Sequence, residues 1–314
     1  MEDQNIYSFQ LEVDKEERVD KLLTSYFTEY SRSTIQKWIA SNNVKIDGKI
    51  CNQKDRIKKS CNVSIFLTSK PETQLVAEDI EIDVIDETDD FIVVNKPSGM
   101  VTHIAPGNYT GTLQNALYYR YPELSNVPRT GIIHRLDKDT SGILVVSRNL
   151  SSHNYLNQQL QDQKFDKLYH ALVCGSVAEQ LRISEPIGRH PVNRKKMSVK
   201  LNGRSALSII KPLKSYDYAS HIEIKIITGR THQIRVHMSH INKPVIGDKL
   251  YGYNKNIFQK KPYIREAIDQ NFGQYLHAYS LSFSDPATKK IRQYKADYPE
   301  KYNYLLKKIN EKII

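Results

Sequence analysis

Along this chain, apolar residues spaced every three or four positions give way to short runs in which every second residue, or every residue, is apolar. The first spacing predicts helices and the second predicts strands, half-buried or fully buried. Leu22, Leu23, Tyr26 and Phe27 share one face of a helix over 20–27. A second helix begins near Ser31 or Ser33, whose hydroxyls suit a cap, with Ile35, Trp38 and Ile39 inside and Arg32, Gln36 and Lys37 outside. Val44 to Ile50 alternates across an Asp47-Gly48 turn signal, and Val63 to Leu67 is a further strand.

The rhythm then changes. Ile80, Ile82 and Val84 alternate as a strand, and Phe91 to Val94 is a fully buried one, stopped by Pro97 and Gly99. Gly107, Gly111 and Thr112 precede a helix carrying Leu113, Ala116 and Leu117. Residues 131–146 read as strand, tight polar loop, strand; Leu156 and Leu160 mark a helix; Lys167 to Gly175 is a β-run. Residues 188–197 form a basic loop or hairpin, and Ile222, Ile224 and Ile226 place one face of a strand over 221–227. The turn Thr228 to Thr231 leads into a helix over 232–240. Residues 254–266 read as a basic surface excursion, Leu276 to Phe283 as the last strand, and the tail from Lys289 as basic and ending in a C-terminal helix.

At 314 residues the chain fits about two domains, with enough hydrophobic content, 39%, for a real core. No run approaches the length of a membrane span and the N-terminus lacks a signal-peptide pattern, so a cytoplasmic protein is expected. Cys51, Cys61 and Cys174 show no metal-like spacing and fit reduced thiols, Cys174 in the core. Charge is unevenly spread. Residues 1–70 are near balance, 71–90 hold nine acidic and no basic side chains, and the remainder holds 34 basic against 16 acidic. That basic remainder points to a polyanion partner such as nucleic acid. The boundaries expected are 1–70 for a small domain, 71–80 for an acidic linker, and 81–314 for the large domain.

Chemistry concentrates in the loop from His134 to Gly142, where acids, bases and hydroxyls sit between buried segments. Arg230, His232 and Arg235 cluster at a helix start, a place suited to anions. His237 and His240 stand at i, i+3, but no HExxH, cysteine pair or carboxylate accompanies them, so no metal is expected.

Two resemblances follow from these residues. Arg18-Val19-Asp20-Lys21-Leu22-Leu23, Ser31-Arg32-Ser33 and Val44-Lys45-Ile46-Asp47-Gly48-Lys49 resemble the S4 RNA-binding domain, with Asn42-Asn43 standing where that family usually has Gly. His134-Arg135-Leu136-Asp137, then Thr140-Ser141-Gly142, resembles the signature of RluA-type pseudouridine synthases. Asn95-Lys96-Pro97-Ser98-Gly99, Gly111-Thr112-Leu113, Tyr169, Thr228 to His237, Gly247-Asp248 and Leu276-His277-Ala278 follow in that family's order. Val127-Pro128-Arg129 and Glu185 to Pro191 are most similar to the RluD-type branch, which modifies large-subunit ribosomal RNA. Asp285-Pro286 departs from the family's usual His-Pro.

The resemblance implies an α+β fold: a mixed, largely antiparallel sheet with flanking helices and loops, plus a small S4-like α/β domain. It implies an isomerase that converts uridine to pseudouridine in large-subunit (23S) ribosomal RNA, without a cofactor and as a monomer. Asp137 is then the catalytic carboxylate, preferred over Asp139, which falls at a variable position. Arg235 pairs with it and Tyr169 stacks on the base. Arg135, His134, Thr140, Arg230 and His232 make up the substrate-facing set, with His134, Thr140 and Ser141 shaping the loop. Arg32, Lys37, Lys45 and Lys49 are the RNA-facing cations of the small domain. An RNA-binding ribosome assembly factor with secondary catalysis, a synthase acting on tRNA, and a uracil-releasing RNA glycosylase are the alternatives.

Overall fold

The computed structural model describes residues 4–13, 15–27, 32–68, 75–105, 107–269 and 271–311. The chain divides into two compact units, Met1–Gln74 and Leu75–Ile314.

In chain order the first unit contains β1 (Gln4–Leu11), β2 (Glu17–Arg18), α1 (Val19–Tyr26), α2 (Arg32–Ala40), β3 (Val44–Ile46), β4 (Lys49–Ile50), β5 (Arg56–Ile57) and β6 (Cys61–Thr68). Four of these strands form a sheet in the order β1-β6-β3-β4, while β2 pairs with β5. The β3–β4 turn is tight because Asp47 and Gly48 both take positive φ, as a two-residue hairpin requires. Asn42 is also left-handed, at φ 59°, so Asn supplies the backbone that Gly would give. Leu23, Ile35 and Ile39 bury against Val44, Val63 and Ile65. The caps expected from Ser31 and the Ser33 side chain lie outside the described residues.

Under this core Asp20 is fully buried and accepts hydrogen bonds from Arg18, Arg32 (2.8 Å) and Gln36 (2.7 Å). Arg32 is exposed, as expected, and its guanidinium also pairs with Asp20. Lys37 and Lys49 are exposed, and the Lys45 ammonium lies 4.9 Å over the Phe66 ring. Burial works to raise the Asp20 pKa, but the bonds from Arg18, Arg32 and Gln36 outweigh it and hold the carboxyl well below its usual range. Its contribution to stability is therefore present above about pH 4 and lost as pH falls further. Asp20→Ala is expected to cost this unit about 2 kcal/mol, less than for a fully buried pair because both guanidinium groups reach solvent. Denaturant unfolding followed at Trp38 would read it.

The second unit is built on a nine-stranded sheet. Its elements are β7 (Asp83–Glu87), β8 (Phe91–Lys96), α3 (Leu113–Arg120), β9 (Ser141–Ser147), α4 (Leu150–Gln161), β10 (Asp166–Cys174) and β11 (Leu181–Ile183). Then come β12 (Ile187–Arg189), β13 (Met197–Val199), β14 (Ser208–Ser215), β15 (Ala219–Ile226), α5 (Gln233–His240), α6 (Pro262–Ala267), β16 (Leu276–Ser284), β17 (Ile291–Lys295) and α7 (Glu300–Asn310). The order is β11-β14-β15-β10-β16-β9-β8-β7, with β17 also on β16; only β9 and β16 run parallel, so the sheet is mixed and largely antiparallel. Strand alternation sends Tyr169, Ala171, Ile222 and Ile224 to one face, against α3, α4 and α5. Leu172, Cys174 and Ala219 turn to the other, against α6 and α7. All three cysteines are free and buried.

Several sequence expectations need correction. No strand precedes the 133–140 loop: Pro128–Gly131 is a 3-10 turn in which Arg129 and Thr130 take φ of 54° and 53°, and Ile132 makes one isolated bridge to Val146. The strand expected from Ile80 begins only at Asp83. Residues 75–80 are not a free linker, because Asn115 donates to Val76 O and the Glu78 carboxylate accepts from Gly111 N; residues 71–74 lie outside the described residues. The 254–266 excursion is anchored, with Phe258 and Ile264 fully buried beside Tyr302 and Leu305. β16 is not the last strand, since β17 follows it. There Asp285 is buried, caps the turn at Ala287 and Thr288, and pairs with Arg292.

Behind the sheet, His170, His221 and His277 are buried among Tyr279, Tyr298 and Tyr302. His170 bonds the Tyr298 hydroxyl, and His277 bridges Ser141 Oγ (2.9 Å) and Ala296 O (3.1 Å). Burial pushes all three down to about 4. The unfolded chain, with histidines near 6.5, thus binds more protons between those values. Stability is complete above about pH 6.5 and is expected to fall steadily toward pH 4, on the order of 3 kcal/mol per uncoupled ring. A thermal-melting series over that range would show the slope; a flat midpoint would contradict buried neutral rings.

Candidate active site

The polar loop before β9 is held residue by residue. Thr102 Oγ1 donates to Leu136 O, Lys96 Nζ and Gly99 N donate to Lys138 O, and Ser98 Oγ donates to Asp139 O. Gln274 Nε2 donates to Thr140 Oγ1 (2.9 Å), and Ser141 meets His277. Nearly every buried polar group of the loop has a partner, so its course is determined. Gly142 ends it at φ 111°, where a Cβ would stand 2.3 Å from Ala278 O; only glycine lets β9 close on β16. Lys96 is buried among three carbonyls, and burial, opposed by Asp139 and Asp137, lowers its pKa to about 7.

Asp137 emerges from this loop toward α5. Arg235 Nη1 donates to Asp137 Oδ2 at 2.8 Å, while Nε and Nη2 grip Asp248 at 2.6 and 2.9 Å. Asp248 is 2% exposed and also accepts from Leu250 N and Tyr251 N. The Tyr251 ring faces the guanidinium at 4.9 Å. Burial opposes the charge on Arg235, but the bonds from Asp248 and Asp137 outweigh it and raise its pKa above the usual arginine value. It is a permanent cation fixed by two carboxylates, with one N–H left for Asp137.

Tyr169 projects from β10 into the same pocket, which Arg135, Leu136, Ile226, His232 and Leu276 also line. Burial first, and then the Asp137 charge, push its phenol up, so it stays neutral and presents an aromatic face. His232 caps α5 in a left-handed conformation, Nδ1 on the Tyr251 hydroxyl and Nε2 3.8 Å from Asp137. Arg135 is exposed at the pocket mouth, and Arg230 is tied to Ser205 O.

His134 and Thr140 take the loop-shaping places expected of them: His134 accepts from Val145 N, and Thr140 is buried on Gln274. His237 has both ring nitrogens engaged, by Ser208 Oγ and Glu185 O, which leaves no nitrogen for a metal. Asp248, Tyr251 and Lys96 were not assigned roles from sequence. The Gly247-Asp248 and Asn95-Lys96-Pro97 blocks mark Asp248 and Lys96, and no motif marks Tyr251.

Residues 90–240 match the model of the RNA pseudouridylate synthase family, and residues 17–60 match the S4 domain. A ribosomal large subunit pseudouridine synthase D of Pseudomonas aeruginosa is 37% identical over 92% of this chain and 91% of its own length. One of Buchnera aphidicola is 39% identical over 90% and 91%. Among solved structures, human RNA pseudouridylate synthase domain containing 1 superposes with TM-score 0.55 at 27% identity, covering 71% of this chain and 86% of that one. Human domain containing 4 gives 0.57 at 20% identity, over 72% and 92%, a likeness of fold. With a polar loop that carries Asp137, an arginine that reaches it and an aromatic face in the same pocket, this chain belongs to the RNA pseudouridylate synthase family, in its S4-bearing form.

Proposed function

We propose that the chain isomerises specific uridines to pseudouridine in large-subunit ribosomal RNA, with Asp137 as the catalytic carboxylate. The observation that carries this is the Arg235–Asp137 ion pair at 2.8 Å in a pocket walled by Tyr169. The reaction breaks the N1–C1′ bond, turns the base, and joins C5 to C1′; the C5 proton leaves and N1 gains one, so nothing is oxidised. A carboxylate serves as nucleophile or as counter-charge to the developing sugar cation. Arg235 orients it, and Tyr169 offers a stacking face to the extruded base. On this reading Arg135, exposed at the mouth, fills the space that the base leaves. Lys37, Lys45 and Lys49 of the S4 unit, together with the basic hairpin β12–β13, supply cations for phosphates.

The large-subunit target rests on the relatives' names. Pseudouridine mapping of total RNA with and without the gene is expected to show losses in large-subunit RNA. Losses confined to transfer RNA would overturn the target, and abasic sites in place of pseudouridine would overturn the isomerase.

A further inference from the structure

Beside the Asp137 pocket lies a second, larger cavity of about 420 Å³, within the range that holds a nucleotide-sized ligand. The two share Arg135, Tyr169, Ile226, Gly229 and Arg230. Its walls carry four cations, Arg129, Arg135, Lys167 and Arg230, an apolar floor that includes Ile132 and Leu160, and, among the described residues, no carboxylate.

Lys167 is the informative residue. It is 8% exposed, yet it has no acidic partner among the described residues. Its neighbour Asp166 pairs with Lys225 instead, at 2.9 Å. The Lys167 stem is buried while its ammonium opens on the cavity without a counter-charge, and burial presses its pKa down. An ammonium so placed is open to an anion that arrives with a ligand. Lys167 and Tyr169 are two apart on β10, hence on one face and about 7 Å apart along the strand. The ammonium comes near Gly229, 3.8 Å from where a side chain there would begin. Arg129, in the cavity wall, is left-handed at φ 54°, backbone strain of the kind that accumulates at binding sites. His103 Nδ1, also in the wall, is buried with no hydrogen-bond partner.

We propose that this cavity is a second nucleotide site, in which Lys167 binds the phosphodiester flanking the target uridine and the apolar floor receives the adjoining nucleoside. The proposal rests on the RNA-isomerase reading above. It assigns Lys167 to substrate selection, in a place separate from the reacting atoms.

The test uses full-length protein and an RNA fragment containing a uridine that the wild-type enzyme converts. Lys167→Met should raise Kd and KM about 10-fold, with kcat within about 3-fold, and reduce the salt slope of binding by about 1. Lys167→Arg should restore most of the loss. A neutral methylphosphonate at one of the two linkages flanking the target should weaken wild-type binding equally, and should add nothing in Lys167→Met. If no flanking methylphosphonate weakens the wild type, or if its penalty adds in full to that of Lys167→Met, no phosphate is held there and the proposal fails. An RNA that the wild type binds but never isomerises would instead sink the isomerase reading, while the binding arm still decides the site.

Discussion

Asp137→Asn is expected to remove pseudouridine formation by on the order of 10⁴-fold or more, while RNA binding and folding survive. The amide is nearly isosteric but can neither attack carbon nor balance a sugar cation. Folding should change by only about 1 kcal/mol, because Arg235 keeps both bonds to Asp248 when its bond to Asp137 weakens. Nucleoside analysis of RNA treated with each protein, beside a melting curve and a binding isotherm, reads all three quantities. Asp139→Asn is the control: its backbone carbonyl holds Ser98, and its side chain packs near Gly273, so it should retain most activity. An active Asp137→Asn with an inactive Asp139→Asn would reverse the assignment.

The elements most legible in the sequence were those whose period is their own evidence. Ile222, Ile224 and Ile226 alternate on a strand, and the helix behind Thr112 begins where a capping residue precedes an apolar stripe. Asn42 took the left-handed turn that its short polar side chain permits. Legibility failed where geometry depends on distant partners. Ile132 and Ile133 look like a strand, but after the bend at Arg129 and Thr130 only Ile132 pairs, in a single bridge to Val146. Phe258 and Ile264 lie in a basic stretch whose composition suggests a surface, yet α7, some forty residues later, covers them. The site divides in the same way. Asp137, Arg235 and Tyr169 could be named from motif residues, whereas the second carboxylate on Arg235 could not, because nothing in the order of residues says that Asp248 folds back beneath α5.

On the proposed function, Arg235 is the residue where stability and chemistry meet, and its removal carries the largest structural cost expected here. Arg235→Leu leaves Asp248, 2% exposed, without a cation, a loss of about 3–5 kcal/mol by the measure of other broken buried pairs. In a unit of this size that is a fall in melting temperature of roughly 6–20 °C, together with loss of activity. Arg235→Lys should recover part of the stability and little of the activity, since one ammonium cannot hold both Asp248 oxygens and also reach Asp137. The double variant Arg235→Leu with Asp248→Asn separates the two roles. Removing the stranded charge should return much of the lost stability, but Asp137 still lacks its partner, so activity should stay low. If stability and activity return together, Arg235 is a scaffold residue alone, and the orientation of Asp137 must come from the loop carbonyls held by Lys96, Ser98 and Thr102.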